Sequence, residues 1–140
     1  MKKNIKRLLF TVGATAAVAA AIPVGAASAD NGDGNLACNR GEICFTYDGS
    51  YKYQKQFWNA ASHDGYYFTN VSTGAGTSYP LLNDAYGIWN RDTSCQAKVI
   101  NVQSFQPDDS QTFAANDGAW RVLNSSVQNK NDKHERVNCS

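Results

Sequence analysis

Several kinds of chemistry are missing from this chain, and each absence narrows what it does. It has only two histidines, His63 and His134, and four cysteines with no Cys-x-x-Cys pair, so structural zinc has no ligand set of the usual spacing. No Gly-x-Ser-x-Gly elbow, His-Glu-x-x-His helix or phosphate-binding glycine loop occurs. Both histidines fall in polar surroundings, Ser62-His63-Asp64-Gly65 and Asn131-Asp132-Lys133-His134, and are expected as solvated surface residues. With no placed base and no free thiol in view, no catalytic residue is assigned, no enzyme is expected, and neither a metal nor another cofactor is implied.

A long apolar run is also missing. Leu8 to Ala21 is apolar and alanine-rich, but Gly13, Thr15, Pro23 and Gly25 break it before it reaches the roughly twenty residues that span a bilayer. Lys2, Lys3, Lys6 and Arg7 precede it, no acidic residue occurs before Asp30, and Ala27-Ser28-Ala29 offers a small-x-small cleavage site. The pattern is that of a bacterial secretory leader over residues 1–29. The expected product is secreted, extracellular and free of the membrane.

Charge of one sign is scarce too. Without the four leader cations, nine of the 13 Lys and Arg remain against 12 Asp and Glu, a net charge of −3. The cations are scattered, so the basic stripe needed to displace counterions from nucleic acid is absent, and no nucleic-acid partner is expected.

What is present is cystine and aromatic residue. A chain of about a hundred residues buries roughly two-thirds of its unfolded surface, which leaves a thin stability margin. Four cysteines in an exported chain read as two disulfides. Three pairings are open; the favoured one joins Cys38 to Cys44 and Cys95 to Cys139. In the chain-entropy model these loops contribute about 2.4 and about 4 kcal/mol.

All 16 aromatic residues except Phe10 lie after the leader, eight of them between Tyr47 and Phe68. Core and half-buried sheet account for most of them; a protein or carbohydrate contact surface is the sharper alternative.

The apolar pattern has period two rather than 3.6. Residues 30–37 read as a flexible terminus and 38–140 as one domain. Strands are predicted at Glu42–Tyr47, Tyr51–Trp58, Tyr66–Val71, Gly87–Asn90, Ala97–Phe105 and Ala119–Leu123. Ser125–Gln128 and Arg136–Cys139 are weaker candidates. Ser72–Ser78 reads as a loop, and Pro107-Asp108-Asp109 and Asn116-Asp117-Gly118 read as turns. Gly87-Ile88-Trp89-Asn90-Arg91-Asp92 is echoed 39 residues later by Ser126-Val127-Gln128-Asn129-Lys130-Asn131. That period suits two stacked Greek keys, so the expected fold is an all-β sandwich.

Cys38-Asn39-Arg40-Gly41-Glu42-Ile43-Cys44-Phe45-Thr46-Tyr47 resembles the opening segment of peptidase inhibitor family thirty-six, the Streptomyces-type metalloproteinase inhibitors. Asn83 to Asn90 and Leu123 to Asn129 are similar to that family's repeated elements. The resemblance implies a βγ-crystallin-like Greek-key sandwich with Cys38 bonded to Cys44. It also implies a secreted monomeric inhibitor, an extracellular protease, above all a metalloprotease, as partner, and docking by rigid loops. No reactive bond carries over, because Cys95 and Cys139 are 44 positions apart. Neither crystallin-type calcium element is intact, and no metal is assigned. Proximity to cystine makes Asp92, Thr93, Ser94 and Gln96, and Asp48, Gly49, Ser50 and Tyr51, the candidate protease-binding loops. A crystallin-like module that binds cell-wall glycan or a competitor's surface without inhibiting is the alternative.

Overall fold

A computed structural model describes residues 32–33 and 35–140; the leader lies outside the described residues. Ten strands and no helix are found among them, in chain order β1 (Ile43–Thr46), β2 (Tyr53–Phe57), β3 (Ala61–Ser62), β4 (Tyr67–Asn70), β5 (Gly76–Pro80), β6 (Gly87–Asn90), β7 (Gln96–Asn101), β8 (Asp109–Phe113), β9 (Arg121–Val122) and β10 (Lys133–Val137). They form a six-stranded sheet, β5-β4-β2-β1-β6-β9, and a four-stranded sheet, β3-β10-β7-β8. Every pairing is antiparallel.

Register sets which side chains meet. Phe45 lies opposite Lys55 and Ile88, while Ile43 lies opposite Phe57 and Asn90. Because side chains alternate along a strand, these residues share one face. In the second sheet His134 pairs with Val99, and Ala97 with Phe113 and Arg136. The two faces meet in a core of Ile43, Phe45, Phe57, Phe68, Ile88, Ala97, Val99 and Phe113, closed at its margins by Leu81, Ala85, Leu123 and Val127. Two disulfides, Cys38–Cys44 and Cys95–Cys139, brace the sandwich.

The structure differs from the sequence reading at several elements. Three of the seven residues Ser72–Ser78 belong to β5, an exposed edge strand that ends at Pro80, where a missing N–H costs no ladder bond. Asp109 begins β8 instead of completing a turn. Ser125–Gln128 is a turn, not a strand, closed by Val127 and Gln128 amides donating to the Asn124 carbonyl. The six-residue echo is therefore strand in its first copy and turn in its second. Of the described residues before Cys38, Asp33 N–H donates to Glu42 Oε1 at 2.9 Å, and the Leu36 carbonyl accepts from Gln56 Nε2 at 2.7 Å.

Candidate docking loops and a buried histidine pair

The Asp48–Tyr51 loop is organised by its own first residue. Asp48 Oδ1 accepts from Ser50 N–H at 2.9 Å and from the Ser50 hydroxyl. Tyr51 takes a left-handed φ of 56°, rare for an aromatic residue. Gln54 Nε2 donates to its carbonyl, and its ring stacks on Trp120 with centroids 5.2 Å apart.

The Asp92–Ala97 segment is rigid but recessed. Buried Asp92 accepts from Ser94 and Cys95 N–H through Oδ1 and from Arg136 through Oδ2. Burial pushes this carboxyl up, but Arg136 and the two amides outweigh it and hold it below the usual range. Ser140 N–H donates to the Ser94 carbonyl at 3.0 Å, and Asn138 Nδ2 to Gln96 Oε1 at 2.7 Å. Thr93 alone in this segment is exposed.

The two segments do not come together. β1 runs between them, with Thr46 beside Gly87 and Ile43 beside Asn90. Asp48–Tyr51 thus leaves one end of the sheet and Asp92–Ala97 the other, so they cannot line one contact edge.

A third loop stands out, residues 102–108 between β7 and β8. Predicted strand Ala97–Phe105 stops at Asn101, because β10 begins at Lys133 opposite Ile100 and offers no partner beyond it. Asp132 takes over: its Oδ2 accepts from Val102 N–H at 2.6 Å. Gln103 N–H donates to Asp108 Oδ1 at 3.0 Å, and Gln103 Nε2 to Asp109 Oδ2 at 2.6 Å. Three carboxylates thus brace the loop through charge-assisted bonds. At its tip Phe105 is 98% exposed, with Val102 also out in solvent. Sequence reasoning missed it by continuing the strand; Pro107 two residues on was the available signal.

The histidines are not on the surface. His63 and His134 are both buried, packed against Phe45 and Phe57 between the two sheets. His134 Nε2 lies 2.9 Å from the Asn59 carbonyl, which only accepts, so that nitrogen carries the hydrogen. Its Nδ1 must then accept from His63 Nε2 at 3.0 Å. His63 Nδ1 in turn accepts from Asn131 Nδ2 at 2.7 Å. Asn131 also donates to the Leu81 carbonyl at 2.7 Å and accepts from Ala85 N–H at 2.9 Å. These tautomers follow from the network, and every ring nitrogen is satisfied with both rings neutral. Burial and then the neighbouring His134 push His63 down to about 3; burial pushes His134 down to about 4. A reagent in solution reaches neither ring, which suits a structural element better than acid–base chemistry.

Cys38, Glu42 and Cys44 are grouped closely enough to suggest metal ligation, but the sulfurs are joined to each other, leaving no thiolate to coordinate. Glu42 instead accepts from the Asp33 and Asn39 amides.

No protein-family model matches the chain, and no curated protein or solved structure matches it.

Proposed function

We propose that this is an exported peptidase inhibitor that docks through the 102–108 loop, with Phe105 as the anchor entering an apolar specificity pocket of the protease. One observation carries the reading: an aromatic side chain 98% exposed at the tip of a loop tied at its base by three carboxylate bonds. Burying a fully exposed apolar side chain is favourable, and a loop already ordered loses little entropy on docking. In this reading the sandwich is the crystallin-like Greek-key fold that the resemblance implies. Residues 1–29 are removed on export, two cystines suit the extracellular compartment, and the monomer acts without a cofactor. Thermolysin-type metalloproteases, the class that the resemblance implies, are the first to test. The test is a titration of residues 30–140, disulfides intact, against thermolysin-type, subtilisin-type and trypsin-type enzymes.

A second reading rests on a strip of aromatic rings. Tyr51, 38% exposed and stacked on Trp120, continues to Trp89, whose ring carries the Arg91 guanidinium at 4.6 Å. Such an aromatic strip offers a ring face to a glycan. Retention on insoluble chitin, glucan or peptidoglycan, lost in Tyr51→Ala, distinguishes it from inhibition.

A further inference from the structure

The docking loop and the buried histidine pair are joined by two consecutive residues. Asn131 feeds His63 Nδ1 through its side chain, and Asp132 holds Val102 through its carboxylate. Both are also fixed through their backbones: His63 N–H donates to the Asp132 carbonyl at 2.8 Å, Asp132 N–H to the Ile100 carbonyl at 2.9 Å, and Asn83 N–H to the Asn131 carbonyl at 3.1 Å. We propose that His63, His134 and Asn131 form a proton-operated latch that holds the Phe105 loop in its projecting form and releases it when the pair takes up a proton. The regulatory role rests on the docking-loop reading; the latch itself does not.

The hydrogen-bond directions make the trigger specific. If His63 takes the proton, Nδ1 becomes a donor facing the Asn131 Nδ2 donor at 2.7 Å. If His134 takes it, at Nδ1, that N–H faces His63 Nε2, which must surrender its own hydrogen; the ring then carries it on Nδ1. Both routes set donor against donor at Asn131. Turning the Asn131 amide over does not help, because its oxygen would then face the Leu81 carbonyl and its NH2 the Ala85 N–H. The Asn131 backbone carbonyl, already within hydrogen-bond distance of His63 Nδ1 at 3.3 Å, is the acceptor for the new N–H, and shortening that bond while the Asn131 NH2 is repelled draws the 129–132 segment with it. Asp132 moves with it, and Val102 loses its acceptor.

Among the described residues, no fixed charge around the pair offsets the added proton. β1 presents Phe45 and β7 presents Val99, both apolar. β2 presents Lys55, a cation lying over the Phe57 and Tyr66 rings. Arg136 on β10 is paired to Asp92, while Lys133 and Glu135 pair with each other. Asp64, beside His63 in sequence, is exposed, and Asp132 is engaged with Val102.

The test is amide hydrogen exchange on the exported domain alone between pH 7 and pH 3, corrected for intrinsic rates, with the imidazole Hε1 signals followed by NMR. Val102 should lose at least tenfold of its protection at the pH where the imidazole signals move, while Cys44 and Phe45 in β1 stay protected. His63→Gln/His134→Gln preserves each donor and acceptor without a titrating ring and should keep Val102 protected throughout. Asp132→Asn removes the loop's own carboxylate and should still release with the imidazoles. Protection of Val102 that survives imidazole titration overturns the latch. So does loss of Val102 and β1 protection together, or a pH response abolished by Asp132→Asn. No protease enters this experiment, so failure of inhibition and failure of the latch are read separately.

Discussion

His63 Nε2 and His134 Nδ1 meet at 3.0 Å across 71 residues of chain, one ring from the β3 end and the other from β10. The bond places two neutral imidazoles where a core would ordinarily hold aliphatic side chains.

Acid should therefore weaken the fold. Both imidazoles titrate lower folded than unfolded, so the unfolded chain binds more protons below about pH 6.5. Their stabilising contribution is complete above that pH and declines as pH falls toward the folded values of about 4 and about 3. The loss approaches about 1.4 kcal/mol per pH unit for each ring. Urea unfolding at pH 7.5 and pH 5.5 should differ by about 2–3 kcal/mol, and the double glutamine variant should flatten the difference. Equal midpoints for the parent at the two pH values would contradict buried neutral rings.

The two cystines should contribute unequally. Replacing Cys95 and Cys139 together by alanine is expected to lower unfolding free energy by about 4 kcal/mol, against about 2.4 kcal/mol for Cys38 and Cys44. The first change also frees the chain end at Ser140, which bonds Ser94. Denaturant midpoints of the two paired variants at pH 7.5 check the order.

Gly41 should tolerate no side chain. Its φ is +98°, and a Cβ there would sit 2.6 Å from the Trp58 ring. Gly41→Ala is expected to cost about 1–3 kcal/mol through strain and ring displacement. Trp58 is exposed at 39%, so its displacement should appear as a shift in tryptophan emission as well as in the unfolding midpoint.

The aromatic strands were legible because burial wrote them. Ile43–Thr46, Tyr67–Asn70 and Gly87–Asn90 fall inside their predicted ranges, each with apolar residues that need the core. Strands β5 and β8 were not, since Gly-Thr-Ser-Tyr-Pro and Asp-Ser-Gln-Thr-Phe lie at sheet edges and owe their conformation to pairing rather than burial. The histidines were misread for a related reason: local polarity describes the neighbours in sequence, whereas Asn131, Asn59, Phe45 and Phe57 decide their burial. The Phe105 loop depends on Asp132, 30 positions from Val102, a contact no local pattern encodes.

Whether Phe105 anchors a protease-docking loop is decided by one titration. The parent and Phe105→Ala are titrated against a thermolysin-type metalloprotease, with subtilisin-type and trypsin-type enzymes beside it. Burying a phenylalanine in a partner's pocket contributes about 1.5–3 kcal/mol, which is roughly 10- to 150-fold in the inhibition constant. Stoichiometric inhibition of one class by the parent, weakened by that factor in Phe105→Ala at unchanged stability, is the predicted result. Inhibition that is equal in the two proteins, or no inhibition of any class, would contradict it.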